Sequence, residues 1–542
     1  MPACSGKSRF RRLSGCSAAP RPASARGRAA PVQAVVALSA GPAAPRSRRL
    51  PRCRSRPRSG LRRPALRAGT RPGPGRPRAA AGPDRTGRSW WPSARCRGGR
   101  RNRRRGDYAG GRADRRACDP ASGRAIAPPG SAHPRCFILI ARFATAAPVT
   151  ALDLPLPDPD ALAHSARLSR LIHEQIAAAG GAIAFSRFME LALYAPGLGY
   201  YSAGASKFGG EGDFVTAPEL GPVFAACTAQ ALAPALQQIG PQARLLELGG
   251  GTGAFAEVAL KRLLELDALP DRYAILEPSA QLRERQRERL MQRLAPPLFE
   301  LVEWLDGPFG DEWEGVVFAN EVIDALPTPR FGIRDGEVYE EHVTSDGERF
   351  ARELRPADGF LANAVGHIER GLERRFADGY RSEVLPQLPY WIQAVSGGLR
   401  RGALLFADYG YARGEFYAPE RDDGTLRAYY RHRVHGEPLL WPGLQDITAS
   451  VDFTALAEAG VAAGFDLAGY CSQASFLLGN GLDGVLKRIE SIADPVEKQR
   501  RLNEVKKLTL PSEMGERFQV MGLQKDVELG VAFMVGDLSH RL

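Results

Sequence analysis

Residues 244–266 read RLLELGGGTGAFAEVALKRLLEL: an apolar run closed by an acid and a leucine, four glycines within five positions, then apolar residues at helical spacing. This order constrains the chain more than any other feature. Glycines admit the left-handed backbone of a sharp strand-to-helix turn and let a ligand reach the main chain, where the first N–H groups of the helix stand free. The predicted unit is a strand Arg244–Leu248, a turn Gly249–Gly253 and a helix Ala254–Leu266, the opening of a doubly wound α/β sheet. No Lys-Ser or Lys-Thr follows the turn, which excludes a nucleotide P-loop.

The same rhythm continues downstream. Tyr273–Leu276 reads as a second strand ended by Glu277, Gln281–Leu294 as an exposed charged helix, and Leu298–Trp304 as a third strand. Val316–Ala319 and Leu404–Ala407 are apolar enough for strands buried on both faces. Phe518–Gln524 reads as the strand that closes the sheet. Phe331–Arg355 alternates like an inserted hairpin, Leu361–Leu399 reads as mostly helical, and amphipathic helices at 481–508 are expected to pack on the sheet. Upstream, residues 161–179 and Phe185–Leu193 carry helical periodicity, and a Gly- and aromatic-rich loop leads from Tyr194 to the stretch 212–220 (GDFVTAPEL) and a helix ending near 238.

Charge separates this body from what precedes it. The whole chain has 74 Lys and Arg against 60 acidic residues, but residues 1–148 hold 35 basic residues and only four acids, so the remainder carries 39 against 56 and is acidic. The first 148 residues are mostly Arg, Pro, Ala, Gly and Ser with almost no periodic apolar pattern, and they read as a disordered arm that cannot bury a core. The favoured explanation is an early start translated from GC-rich DNA, ahead of a basic nucleic-acid- or lipid-binding arm and a transit peptide. Six of the eight cysteines lie in the arm, leaving Cys227 and Cys471 in the body and no Cys-based metal site. His432 and His435 lack a Glu-x-x-His neighbour and read as a surface or substrate-contacting loop; no metal is expected. No stretch reads as a membrane span, and the acidic body argues against specific nucleic-acid binding.

The glycine turn alone leaves two cofactors open, because Gly249, Gly251 and Ala254 also fit the dinucleotide pattern. Glu247 shifts the balance: a carboxylate at the strand tip suits the cationic amino acid end of S-adenosylmethionine and repels a pyrophosphate. Glu277 is placed to accept hydrogen bonds from a ribose diol. After the fourth strand comes NEVIDALP (320–327), at the switch point of the sheet. Asn320, Glu321 and Asp324 there suit an amine or guanidinium acceptor, since carboxylates orient such a group and offset its charge.

With these motifs the chain resembles the MidA-like methyltransferase family, whose mitochondrial members assist respiratory complex I assembly and are described as protein arginine methyltransferases. The resemblance spans about residues 161–530 and is carried by SKFGGEGDFVTAPELGP (206–222), ELGGGTG (247–253), LEPS (276–279), NEVIDALP (320–327), ADYGY (407–411), TLRAYYRHRVHGEPL and DITASVDF. It implies cofactor contacts at Gly249, Gly251, Gly253 and Glu277, with Thr216, Pro218 and Glu219 close by, and acceptor contacts around Asn320–Asp324.

The expected fold is therefore an α/β, Rossmann-like class I methyltransferase sheet with a helical N-terminal segment and helical and hairpin insertions, behind a disordered N-terminal arm. Its expected divisions are the arm at 1–148, the helical segment with the cofactor-side loop at 149–240, and the methyltransferase domain at 241–542 with insertions at about 331–400 and 411–450. The expected activity is methyl transfer from S-adenosyl-L-methionine to a side-chain nitrogen of a protein, arginine favoured and a respiratory-complex subunit among the candidates. The alternatives are a non-catalytic cofactor-binding assembly factor and, more weakly, an NAD-dependent oxidoreductase. Cytoplasmic location is expected for a bacterial protein, mitochondrial for a eukaryotic one.

Overall fold

The structure is a computed structural model that describes residues 154–202 and 216–542. The basic arm and the part of the cofactor-side loop before Thr216 lie outside the described residues. The central sheet comprises β1 (Arg244–Leu248), β2 (Arg272–Leu276), β3 (Val302–Leu305), β4 (Trp313–Asn320), β5 (Leu399–Tyr411), β6 (Asp466–Ser472) and β7 (Phe518–Lys525). Their spatial order is β6-β7-β5-β4-β1-β2-β3, with β7 antiparallel to both neighbours and the other pairs parallel. A two-residue strand, Val451–Asp452, pairs with the end of β5. This is the Rossmann-like α/β sheet that the sequence rhythm predicts.

Both faces of the central strands β1, β4 and β5 are buried, which is why they read as apolar runs. Leu245, Val316, Phe318 and Leu405 enter one core, shared with α3 (Pro222–Ile239) and α4 (Ala254–Glu265). Leu246, Val317, Leu404 and Phe406 enter the other, shared with helices Leu388–Val395 and Phe453–Ala462. Upstream of α3 lie α1 (Pro159–Ala178) and α2 (Phe185–Tyr194), and after β2 comes α5 (Ala280–Arg293), capped by the Ser279 hydroxyl. Register fixes where function can sit. Leu248 stands opposite both Leu276 and Ala319, and Asn320 opposite Ala407, so the carboxyl ends of β1, β2, β4 and β5 open at one edge.

Several expectations give way to tertiary context. Phe518–Lys525 does not close the sheet; it is threaded between β5 and β6, and β6 forms the edge. That edge strand carries few large apolar residues and a central Gly469, so alternation could not reveal it. Leu298 lies in a helical turn, Pro296–Phe299, because two successive prolines favour a helical first turn and remove two ladder donors; β3 begins only at Val302. The inserted hairpin is three strands, Arg330–Arg334, Glu337–Ser345 and Phe350–Pro356. They join Arg381–Glu383 and the N-terminal Ala182–Ala184 in a second sheet. Arg381–Glu383 therefore interrupts the stretch expected to be mostly helical. Helices Leu482–Glu490 and Pro495–Thr509 pack on α3 rather than directly on strands. His432 is exposed at a hairpin turn, but His435 is fully buried and accepts the Glu437 N–H on Nδ1. Among the described residues no helix is long and apolar enough to cross a membrane.

The second sheet is pinned by Arg330, 1% exposed. Its Nε donates to Glu383 (2.9 Å), Nη1 to Glu341 (3.2 Å) and Nη2 to Asp423 (2.9 Å). Glu341 and Glu383 are as buried as the arginine. Removing the cation would strand two buried carboxylates, a loss of about 3–5 kcal/mol. Arg330→Met is thus expected to lower the urea midpoint with little change in slope, and a midpoint equal to the parent's would refute this role.

Candidate active site

The glycine turn begins with Gly249, whose N–H donates to the Leu276 carbonyl (3.0 Å) and ties the ends of β1 and β2 together. Gly249, Gly251 and Gly253 have φ of 64°, 52° and 81°, a region that L side chains rarely adopt. Two of the turn's faces are closed by protein: a Cβ at Gly249 would stand 3.0 Å from Val322 Cγ2, and one at Gly250 would stand 2.9 Å from Ile275 Cγ2. At Gly251 nothing lies within 4 Å of such a Cβ, so backbone is open there to a ligand.

Glu247 and Glu277 flank the turn. Glu247 is only 3% exposed and accepts the Tyr273 hydroxyl (2.8 Å); burial pushes its carboxyl up to about 8. Glu277, equally buried, accepts the Ser279 N–H on Oε1 (2.9 Å), and burial raises it to about 7. Glu219 accepts the Thr252 hydroxyl, which fastens the short helix Ala217–Leu220 to the turn. Thr216 is that helix's N-cap residue in extended backbone, and Pro218 sits in its first turn, where its fixed φ favours the helix.

The Asn320–Asp324 loop leaves β4 level with this turn. Glu321 has φ 54°, a left-handed conformation costing a bulky residue about 1–3 kcal/mol. Its neighbours impose that conformation. The Glu321 N–H donates to Ala407 O (2.9 Å), and the buried Asp408 carboxylate at the end of β5 accepts the N–H groups of Ile323 (3.1 Å), Asp324 (3.3 Å) and Tyr409 (2.9 Å). Glu321 Oε1 accepts Asn320 Nδ2 (3.0 Å) and the Ala217 N–H (3.4 Å), so the helix Ala217–Leu220 and the Asn320–Asp324 loop meet on one carboxylate. Asp324 is 5% exposed and accepts the Tyr409 hydroxyl on Oδ2 (2.8 Å).

Three shielded acceptors in this loop find no hydrogen-bond partner: Asn320 Oδ1, Glu321 Oε2 and Asp324 Oδ1. Leaving buried acceptors unpaired costs free energy. Burial, reinforced by Asp324, holds the Glu321 carboxyl at about 8. Asp324 is also raised, by burial first and then by Asp408 and Asp446. Both shifts favour the protonated carboxyl, and a nearby positive charge would oppose them.

Sequence reasoning gave no site role to several groups found here. Tyr194 and Tyr201 come from the N-terminal segment, stacked with centroids 5.6 Å apart; Tyr194 donates to the Ala325 carbonyl (2.9 Å) and Tyr201 to Asp446 (3.0 Å). Asp408 and Tyr409 were legible only as part of a motif, and nothing local singles out Asp446 or the two tyrosines. Gln286 did leave a signal: on α5 it occupies a buried position in line with Leu282 and Leu290, where a polar residue is out of place.

A strand order of this kind, a glycine turn after the central strand and an acid ending the next define a class I methyltransferase. Residues 227–471 match a family model described as an S-adenosyl-L-methionine-dependent methyltransferase. A Burkholderia thailandensis protein solved with S-adenosyl-homocysteine bound is 44% identical, with 72% of this chain and 100% of that one aligned and a TM-score of 0.66. A native structure of a superfamily protein from the same organism gives 43% identity over the same shares and a TM-score of 0.64. The mouse and human proteins named "Protein arginine methyltransferase NDUFAF7, mitochondrial" are 29% and 28% identical over 63% of this chain, covering 81% and 80% of their own lengths. The chain belongs to the MidA-like family of S-adenosylmethionine-dependent methyltransferases, and S-adenosyl-L-methionine is its cofactor. The open backbone at Gly251 and the buried acids Glu247 and Glu277 fit that group.

Proposed function

We propose that this protein transfers a methyl group to an arginine side chain of a protein substrate, with Glu321 and Asp324 holding the guanidinium. The observation that carries the reading is the set of unpartnered acceptors in the Asn320–Asp324 loop, beside the open glycine turn. A guanidinium offers five N–H donors in a fixed fork, the complement of such a set. The names of the curated relatives support arginine as the acceptor and mitochondria as the location; none of the comparisons supports the cytoplasmic alternative.

In this reading Gly249, Gly251 and Gly253 present backbone to the cofactor, Glu277 accepts its ribose hydroxyls, and Glu247 offsets its amino acid cation. Thr216, Pro218 and Glu219 form the neighbouring wall. S-adenosylmethionine supplies a methyl group already activated on its sulfonium. What remains for the chain is to hold the acceptor nitrogen in line and to keep water out, a contribution that can reach roughly 7–11 kcal/mol. Asn320 and Asp324 orient the guanidinium, and Glu321 Oε2 takes the proton that the nitrogen gives up.

The charge state gives a direct test. A guanidinium binds the ionised carboxylate, so with Glu321 held near 8 binding below that pH must expel a proton. With S-adenosylhomocysteine saturating, affinity for an arginine peptide is expected to rise from pH 6 to about 8 and then level, with calorimetric heats that differ between buffers of unlike ionisation enthalpy. Stability of the cation-free protein runs the other way. Above about pH 4.5 the folded state binds more protons at this group than the unfolded chain, so its contribution declines until about pH 8. Arginine-peptide binding without proton release would sink the assignment.

A further inference from the structure

Gln286 is fully buried on α5, directly behind the glycine turn. Its Oε1 accepts the Trp304 indole N–H (2.8 Å) from β3, and its Nε2 lies 2.9 Å from the Gly251 carbonyl and 3.5 Å from Glu277 Oε2. An indole N–H only donates and a carbonyl only accepts, so the amide has one orientation. The Arg287 guanidinium lies 4.7 Å over the Trp304 ring and holds that anchor in place. A glutamine at a buried helix position costs free energy unless its polar atoms are paired, and here the pairing links three elements that the cofactor site needs together.

We propose that Gln286 is a positioning residue of the cofactor site, its amide holding the Gly251 peptide and the Glu277 carboxylate in the geometry that receives the ribose of S-adenosylmethionine. The inference rests on the reading of Glu277 as the ribose acceptor. The Ser279 N–H holds Oε1 of that carboxylate and Gln286 holds Oε2, so its direction is set before a ligand arrives. The charged groups around Gln286 are few. Glu277 faces it from the end of β2, Arg283 of its own helix is bound to the Glu277 carbonyl and Asp306, Arg287 lies over the Trp304 ring, and Arg289 is bound to Glu257 of α4.

The test is calorimetric titration with S-adenosylhomocysteine between pH 6 and 9 for the parent, Gln286→Leu, Gln286→Glu, Trp304→Phe and Glu277→Gln. Gln286→Leu is expected to weaken binding about tenfold or more above about pH 7, where Glu277 is ionised and a hydrogen bond to a charged group is lost, and by less near pH 6. Gln286→Glu is expected to lose less than Gln286→Leu near pH 6, where its buried carboxyl keeps one proton and donates to one of the two acceptors the amide serves, and to fall a further tenfold or more by about pH 9 as a second charge faces Glu277. Trp304→Phe should weaken binding in the same direction by a smaller factor. If Gln286→Leu fails to fold, the pH profile of Gln286→Glu decides. Parental affinity in both Gln286→Glu and Trp304→Phe across the range, or a pH-independent loss in Gln286→Glu, would overturn the inference. A Glu277→Gln variant that binds normally would instead remove the ribose assignment beneath it; collapse in Glu277→Gln with parental Gln286 variants would overturn the positioning role alone.

Discussion

Glu321→Gln is expected to cut methyl transfer by about 10²–10⁴-fold while S-adenosylhomocysteine affinity stays within about twofold. Glutamine preserves the shape that fills the site and can keep the Asn320 and Ala217 contacts on its carbonyl oxygen. It removes the charge that a guanidinium pairs with and the Oε2 that takes the proton. The left-handed backbone at 321 is imposed by Ala407 and Asp408, so the variant is expected to fold normally. Single-turnover transfer and calorimetry on the same preparation separate the two effects. Near-parental transfer would place the acceptor chemistry elsewhere.

The second large effect concerns the turn. Gly251→Val puts a β-branched residue at φ 52°, costing about 1–3 kcal/mol in strain, and stands a side chain where the turn presents bare backbone. It also shifts the peptide whose carbonyl Gln286 holds. Where the free turn relaxes that strain and binding must restore it, the cost corresponds to up to roughly 150-fold, and with occlusion added, S-adenosylhomocysteine affinity is expected to fall at least about a hundredfold. A folded Gly251→Val protein that titrates like the parent would show that the cofactor does not lie against this turn.

Together the two variants separate an enzyme from an assembly factor that binds cofactor without turnover. Loss of cellular function in Glu321→Gln, with cofactor binding kept, argues for catalysis. Function that survives in both variants argues for the scaffold.

The fold was legible where a local signal and the tertiary role coincide. β1, its turn and α4 could be read almost to the residue because glycine spacing, strand apolarity and helical periodicity agree there. β6 and the place of β7 were not legible, since strand order in a sheet is a long-range property and a sparse edge strand around Gly469 leaves little periodic trace. The Pro296–Pro297 pair was a readable signal that apolar pattern alone overrode. In the candidate site, Asn320, Glu321 and Asp324 were readable as candidates because three polar residues follow a buried strand at the switch point. Asp408 was less visible as the residue that holds their loop, because its work is done through three backbone N–H groups of two segments. Tyr201 and Asp446 are 245 positions apart and meet only in the folded chain.

The most direct test of the central claim is mass-spectrometric mapping of the residue that gains methyl from S-adenosylmethionine when the protein is added to extract from cells in which its own gene is inactive. Methylated arginine that forms with the parent and is missing with Glu321→Gln is the result this account requires. Methyl found on lysine or a carboxylate, or no methylation that depends on the added protein, would contradict it.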